Sequence, residues 1–220
     1  MTGPGKRAGV IVAIDGAAGS GKSTLARSLA VALGVPYLNT GLMYRSLAAA
    51  ALDAGADPGD EAGLVALAGD LTFSFGGEGP PTLRVDGREP GQDLVAPEVE
   101  ETVSDVSSHP GVRAVMVAEQ RRLGAGGGVI EGRDIGSVVF PDARAKIFLD
   151  ASPEVRAARR AAERDAPGRA AERALERRDA RDARTVPHVP TPDATVIDAT
   201  ELDAAGVLAR ALEIVRAAST

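Results

Sequence analysis

Residues 10–23 read Val-Ile-Val-Ala-Ile-Asp-Gly-Ala-Ala-Gly-Ser-Gly-Lys-Ser, and this stretch decides the fold. Its first part, residues 10–14, is continuously apolar, which is typical of a strand buried on both faces of a parallel sheet. Small residues and glycines follow, and then leucine recurs at every fourth position from 25 to 33, before Gly34. That spacing predicts an amphipathic helix that ends at the glycine.

The loop between this strand and this helix matches the pattern G-x-x-x-x-G-K-[ST] in full. Glycines let successive backbone N–H groups point at phosphate oxygens, and the N-terminus of the helix adds partial positive charge. Lys22 is predicted to bridge the β- and γ-phosphates of a nucleotide, and the Ser23 hydroxyl to ligate Mg²⁺. The predicted nucleotide-binding residues are Gly16, Ala17, Ala18, Gly19, Ser20, Gly21, Lys22, Ser23 and Thr24.

Composition excludes several classes of protein. The chain has 220 residues, of which 44% are hydrophobic, and this suits one globular domain with a packed core. Its 25 Lys+Arg against 31 Asp+Glu give a formal net charge of −6, which disfavours a nucleic-acid partner. There is no cysteine, so disulfide scaffolds and cysteine-based metal or redox sites are excluded. No apolar stretch has the length of a signal peptide or a membrane span, so we expect a cytoplasmic monomer without a membrane partner.

Strand-like and helix-like segments alternate along the rest of the chain. Further strands are predicted at residues 35–39, 128–131, 145–150 and 194–198, and helical stretches at about 42–54, 97–123, 153–184 and 202–217. Such alternation requires crossover connections and a parallel sheet. Residues 70–93 differ, because apolar and polar residues alternate there on both sides of a Gly/Pro-rich turn. We predict an α/β fold with a small antiparallel excursion over 70–93.

Arginines recur at loops and helix starts in this predicted arrangement. They are Arg45, Arg113, Arg133, Arg177, Arg178, Arg181 and Arg184. Phosphoryl transfer between two anions needs fixed positive charges that offset their repulsion. Guanidinium suits this task because it binds phosphate with a planar fork and stays charged. The pattern favours a kinase whose acceptor carries a second phosphate.

Nucleotide hydrolases are less consistent with the sequence. A GTPase would carry a guanine-reading Asn-Lys-x-Asp, which this sequence lacks. A motor-type ATPase would end a second apolar strand in a magnesium-binding carboxylate. Asp150 and Asp198 both end predicted strands, so this alternative stays open on sequence alone.

Beyond the phosphate loop, four segments complete a resemblance to the bacterial cytidylate kinases. They are Asn-Thr-Gly-Leu-Met-Tyr-Arg at 39–45, Pro-Gly-Val-Arg at 110–113, Glu-Gly-Arg-Asp-Ile-Gly-Ser-Val-Val-Phe-Pro at 131–141 and Lys-Ile-Phe-Leu-Asp-Ala at 146–151. The resemblance covers about residues 10–200. Its most specific part is the Gly-Arg-Asp block at 132–134 with its continuation, since many families share the phosphate loop.

This resemblance implies a P-loop nucleoside monophosphate kinase with three parts. A five-stranded parallel core flanked by helices would comprise about 8–40, 124–152 and 192–220. A monophosphate-binding lobe would span about 41–123 with the antiparallel insert at about 70–93, and a helical lid about 153–190. The implied reaction is direct in-line phosphorylation of CMP and dCMP, with ATP as donor and Mg²⁺ as cofactor.

The resemblance also assigns the acceptor site. Thr40, Tyr44, Arg45 and Arg133 would surround the acceptor phosphate and sugar, while Ser104, Arg113 and Asp134 would read the cytosine edge. A carboxylate and a guanidinium suit cytosine, which presents an amino donor beside ring and carbonyl acceptors. Glu131 is expected to support Arg133 rather than to act as a base.

The lid departs from the family pattern. Similar proteins carry Arg, then Asp four residues on, then Arg three further. Arg178 and Asp182 fit, but the third position is Thr185, so either Arg181 or Arg184 is expected to supply the missing guanidinium. The resulting set of expected catalytic residues is Lys22, Arg133, Arg178, Asp182, Arg181 and Arg184.

Two other functions stay open at this point. One is a P-loop kinase for another small metabolite, such as shikimate or dephospho-coenzyme A, although the 70–93 hairpin and the cytosine-reading set disfavour it. The other is a non-catalytic module that senses ATP, which the arginine-rich acceptor lobe disfavours.

Overall fold

The computed structural model describes residues 9–164, 168–186 and 189–218. Seven strands are described: β1 (Ile11–Asp15), β2 (Tyr37–Asn39), β3 (Phe73–Gly76), β4 (Thr82–Val85), β5 (Gly128–Glu131), β6 (Ala145–Asp150) and β7 (Thr195–Asp198). The described α-helices are α1 (Lys22–Leu33), α2 (Thr40–Asp53), α3 (Glu61–Asp70), α4 (Pro97–Ser108), α5 (Pro110–Gly124), α6 (Pro153–Arg164), α7 (Gly168–Thr185) and α8 (Ala204–Ala218). A 3₁₀ turn at Gln92–Val95 and a π-helical turn at Ile135–Val139 complete the elements.

Five of these strands form one parallel sheet in the order β2-β5-β1-β6-β7. Strand β1 lies at its centre and pairs with β5 on one side and β6 on the other, so that Val12 faces Val129 and Ala145. Val12, Ala13 and Ile14 are 0–1% exposed, as expected for a strand covered by helices on both faces. The predicted α/β fold with a five-stranded parallel core is confirmed.

Each face of the sheet has its own apolar core. On one side α1 and α8 pack through residues such as Leu25, Leu29 and Ala211 against Ile14 and Ile147. On the other side residues of α2 to α5 and of the β3–β4 hairpin form a larger core. The hairpin is antiparallel, with Phe73 opposite Val85, which confirms the predicted excursion.

One predicted helix is two helices, and one helix was missed. The helical stretch predicted at 97–123 is two helices, α4 and α5, because Pro110 lacks an N–H and keeps the preceding His109 extended at φ −72° and ψ 124°. The helix α3 was not predicted, although Asp60 caps it by accepting from the backbone N–H of Gly63. The stretch 153–184 is the pair α6 and α7, and residues 165–167 between them lie outside the described part of the chain.

Candidate active site

A cavity of about 290 Å³ opens at the carboxyl edge of the parallel sheet. This edge is where loops after parallel strands meet, and it is the usual ligand site of open α/β sheets. The loop after β1 and the start of α1 contribute one wall, the start of α2 and the loop after β5 a second, and the 3₁₀ turn with α4 to α7 the rest. Charged and polar residues among its lining are Lys22, Ser23, Thr40, Tyr44, Arg45, Arg113, Glu131, Arg133, Asp134, Arg160 and Asp182.

The loop after β1 has the backbone that its glycines predict. Gly16, Gly19 and Gly21 adopt φ values of 149°, 73° and 96°, a range that residues other than glycine rarely adopt. At Gly16 the close approach of the core is a second constraint, since a Cβ there would lie 2.2 Å from the Leu149 carbonyl oxygen. The loop delivers Lys22 to the first position of α1, with its side chain turned back over the loop.

Cationic side chains surround the outside of this loop by binding its carbonyl oxygens. Lys22 Nζ donates to the oxygen of residue 17 at 2.6 Å, and Arg133 Nη1 to that of residue 16 at 3.1 Å. From α6, Arg156 donates to the oxygen of residue 18 at 3.0 Å and Arg159 to that of residue 20 at 2.9 Å. The loop is therefore held in a strongly positive environment, which favours a polyanionic ligand.

Glu131, at the end of β5, organises the wall beside the loop. It is 3% exposed, and its Oε2 accepts from Ser23 Oγ at 3.1 Å while its Oε1 accepts from the Tyr37 hydroxyl. Its backbone carbonyl accepts from Thr40 Oγ1 at 2.7 Å. Burial, together with the neighbouring Glu131 carboxylate, raises the pKa of Tyr37 well above its ordinary value, so the phenol stays a donor. Glu131 was expected beside Arg133, and these bonds direct it to Ser23, Tyr37 and Thr40.

The loop after β5 is fixed by Asp15 at the end of β1. The two oxygens of the Asp15 carboxylate accept from the backbone N–H groups of Ile135 and Gly136, each at 2.8 Å. Burial raises the pKa of Asp15, and these two bonds partly offset that rise. The two bonds fix the backbone of the turn that immediately follows Arg133 and Asp134. They therefore help to position these two residues in the cavity wall.

Arg113 and Asp134 meet as an ion pair in the cavity wall. Their side chains are 21% and 12% exposed, so both remain accessible to a ligand from the cavity. Tyr44 lies beside them, and burial raises its pKa to about 12. The structure thus brings together the carboxylate and guanidinium that the sequence proposed for reading a base.

Asp182 connects α7 to the loop after β5. Its Oδ2 accepts from Nε and Nη2 of Arg133, both at 3.3 Å, and its Oδ1 accepts from Ser104 Oγ at 3.2 Å. Ser104 is 8% exposed and reaches the cavity through Asp182 rather than lining it. Arg181 instead donates to the backbone carbonyls of Arg177 and Glu101 and is not among the residues of the cavity wall.

The remaining expected residues divide into three groups. Thr24 is exposed and lines the cavity together with Ala18, Gly19 and Gly21, whereas Gly16, Ala17 and Ser20 do not line it. The side chains of Arg178 and Arg184 lie outside the described part of the chain. Asp150 and Asp198 accept from the backbone N–H groups of Ala151 and Thr200, just after β6 and β7, and do not line the cavity, so nothing supports them as magnesium ligands.

Sequence reasoning missed three arginines of α6. Arg156 and Arg159 bind the phosphate loop, and their separation by three residues on a predicted helix was a signal that they share one face. Arg160 lines the cavity and donates to Glu100 Oε1 at 2.5 Å, an oxygen that Arg45 Nη2 approaches to 3.5 Å. No local pattern announces that contact, because Arg160 and Glu100 are 60 residues apart.

A family model described as cytidylate kinase matches residues 12–217. The chain belongs to the cytidylate kinase family. It is 43% identical over 226 residues to the cytidylate kinase of Solibacter usitatus, covering 98% of this chain and 96% of that one. It is 48% identical over 190 residues to the cytidylate kinase of Thermus thermophilus, covering 86% and 89%.

A third relative is the bifunctional pantoate ligase/cytidylate kinase of a Synechococcus strain, 40% identical over 206 residues. The match covers 92% of this chain and 39% of that longer protein. Cytidylate kinases are phosphotransferases, and the membership makes this chain one of them. Among the described residues, no helix combines the length and apolar character that a membrane span requires.

Proposed function

We propose that this member of the cytidylate kinase family transfers the γ-phosphoryl group of ATP to CMP and dCMP. The observation that carries the proposal is the Arg113–Asp134 pair, which lies in the same cavity as the phosphate loop. A charged pair that can bind a nucleobase and a phosphate loop that faces the same cavity suit a nucleotide acceptor bound beside a nucleotide donor.

Lys22 and the backbone N–H groups of residues 16–24 bind the donor phosphates. Lys22 is 7% exposed and its ammonium group already lies over the loop, 2.6 Å from the carbonyl oxygen of residue 17. When ATP binds, we infer that this group moves to the β- and γ-phosphate oxygens. Low exposure strengthens its attraction for the charge that accumulates in the transition state.

Ser23 and Glu131 fit the requirements of a Mg²⁺ site. Their hydroxyl and carboxylate oxygens lie 3.1 Å apart beside the loop, and both are the hard oxygen donors that Mg²⁺ prefers. The described residues hold no cluster of three or more potential ligands, which agrees with an ion bound partly by substrate phosphates and water. When bound, Mg²⁺ neutralises charge on the β- and γ-phosphates.

The acceptor occupies the opposite wall of the cavity. Arg45 and Arg133 bind its phosphate, with Thr40 and Tyr44 beside the phosphate and sugar, and Asp182 near the sugar. Asp134 accepts from the cytosine amino group, while Arg113 donates to the ring and carbonyl acceptors, and Ser104 supports this set. A phosphate oxygen of CMP then attacks the γ-phosphorus as the bond to the β–γ bridging oxygen breaks, so ADP leaves. No side-chain nucleophile is needed, because positioning and charge neutralisation lower the barrier.

The division of the chain follows from this assignment. Residues of about 8–40, 124–152 and 192–220 form the core that carries the donor site, and those of about 41–123 the monophosphate-binding lobe. The helices within about 153–190 act as a lid that carries Asp182, Arg178 and one of Arg181 or Arg184, and its closure excludes water from the reacting phosphates. The cytoplasmic and monomeric state stays a prediction from the sequence.

A turnover screen tests the proposal. The protein is mixed with ATP·Mg²⁺ and each nucleoside monophosphate in turn, with shikimate and dephospho-coenzyme A as further acceptors, and ADP release is measured. We expect CMP and dCMP to give kcat/KM values well above those of AMP, GMP or the two metabolites. Preference for another acceptor would overturn the choice of substrate. ATP binding without acceptor-dependent ADP release would favour an ATP-sensing module instead.

A further inference from the structure

Arg160 on α6 stands at the acceptor side of the cavity without a role in the assignment above. Arg160 lines the cavity, and its side chain is 19% exposed. Arg45, the proposed acceptor-phosphate residue on α2, lines the same cavity. The two side chains come from helices more than 100 positions apart in the sequence and meet at one point.

That point is the carboxylate of Glu100 on α4. Glu100 Oε1 accepts from Arg160 Nη2 at 2.5 Å and lies 3.5 Å from Arg45 Nη2. Both arginines line the cavity whereas Glu100 does not, so the carboxylate holds the two arginines without lining the space for a ligand. Two guanidiniums therefore share one carboxylate.

The position of α6 is fixed from the donor side. Arg156 binds the carbonyl of residue 18 and Arg159 that of residue 20. The helix is therefore attached to the phosphate loop at two positions just before Arg160. Arg160, one position after Arg159, extends from the same helix to Glu100 on α4. One helix thus contacts the donor loop and the acceptor wall together.

We propose that Arg160 binds the phosphate of the acceptor nucleotide together with Arg45, and that Glu100 is a positioning residue that holds both. This inference rests on the proposed function. A guanidinium has five N–H donors in a planar fork, so one edge can bind a carboxylate while another binds phosphate. Arg160 supplies from α6 a charge that Thr185, which also lines the cavity, cannot supply from α7.

Calorimetric binding of CMP and of cytidine tests this, because the two ligands differ only in the phosphate. For Arg160→Ala we expect the Kd of CMP to rise by about tenfold or more, while the Kd of cytidine changes by less than about twofold. Arg210→Ala is the matched control, since Arg210 forms an exposed pair with Glu213 away from the cavity, and it should leave both constants unchanged. Equal changes for CMP and cytidine, or no change for either, would overturn the assignment.

Glu100→Gln separates phosphate binding from a merely structural ion pair. It removes the shared charge but keeps both arginines, so we expect a smaller rise in the Kd of CMP than Arg160→Ala gives. If Glu100→Gln raised the Kd of CMP as much as Arg160→Ala does, Arg160 would serve only to form the ion pair with Glu100. Should Arg160→Ala fail to fold, Arg160→Lys decides in the same assay: a rise confined to CMP supports the contact, and unchanged binding contradicts it. Failure of the wild-type protein to bind CMP at all would instead refute the proposed function.

Discussion

The carboxylate of Asp182 binds the guanidinium of Arg133 across the boundary between α7 and the sheet, with Oδ2 3.3 Å from both Nε and Nη2. The same carboxylate accepts from Ser104 on α4. The Asp182 side chain therefore connects α7 both to α4 and to the loop after β5. Because Arg133 is also proposed to bind phosphate, we expect nucleotide binding to change this connection.

The first prediction concerns the mobility of that helical pair. Among the described side chains of the charged segment at about 153–185, few are apolar and buried, Leu175 and Ala157 being examples, so we expect polar contacts to hold the segment. Amide hydrogen exchange should show it protected by ATP plus CMP together, and much less by either alone. Asp182→Asn should lower protection in the free protein. Equal protection in free and doubly liganded wild-type protein would identify a rigid structural element.

The second prediction compares two buried lysines. Lys22 and Lys146 are each 7% exposed, but Lys22 lies over the phosphate loop and Lys146 pairs with Asp193 at 2.6 Å. Lys22→Met should lower kcat by orders of magnitude, about 3–4 kcal/mol of transition-state stabilisation, while the protein stays folded. Lys146→Met should lower the free energy of unfolding and leave kcat close to normal. Steady-state kinetics and thermal melts measure both, and near-normal turnover by Lys22→Met would exclude its proposed role.

The third prediction concerns base selection. Asp134→Ala removes the proposed acceptor for the cytosine amino group and leaves Arg113 without its carboxylate, which should cost about 2–4 kcal/mol in acceptor recognition. The KM for CMP should rise far more than the KM for ATP. Asp142→Ala is the control, because Asp142 is exposed and lies in the same β5–β6 connection as Asp134. It should change neither KM value. Parallel increases in both KM values for Asp134→Ala would assign Asp134 a structural role.

The fourth prediction concerns the pH dependence of stability at Asp15. Burial raises its pKa above the ordinary value of 3.8, so the folded protein binds this proton more tightly than the unfolded chain does. Its contribution to stability is therefore fully present below 3.8 and is lost as pH rises through the elevated folded-state pKa. Asp15→Asn removes this titration but also one acceptor for the N–H groups of Ile135 and Gly136, which costs about 1–3 kcal/mol.

Denaturant unfolding from about pH 4 to pH 8 measures this difference. The free energy of unfolding of wild type minus that of Asp15→Asn should decrease as pH rises through this range. Other titrating groups are common to both proteins and largely cancel. A difference that grows with pH would show that the two backbone hydrogen bonds outweigh burial and that the pKa of Asp15 is lowered.

Local sequence was sufficient where contiguous residues create the feature. The phosphate loop was predictable because eight consecutive residues fix its backbone, and the hairpin because alternation and a Gly/Pro-rich turn specify pairing between neighbours. The break at Pro110 was also encoded locally, through the missing N–H of proline, and the single long helix predicted there ignored it. The helix α3 was missed because Gly63 and Gly69 weaken its helical pattern.

The sequence by itself determined the parallel sheet and the glycine-rich loop, since strand periodicity and motif spacing are properties of neighbouring residues, whereas the residues proposed around the acceptor follow from the family resemblance. Only the tertiary structure decided which charges meet. Arg160 reaches Glu100 across 60 residues and Asp182 reaches Ser104 across 78, while Arg181 points away from the cavity to the carbonyl of Glu101. A long arginine side chain can turn toward several partners, and its choice depends on which carboxylate or carbonyl the packed helices bring within hydrogen-bonding distance.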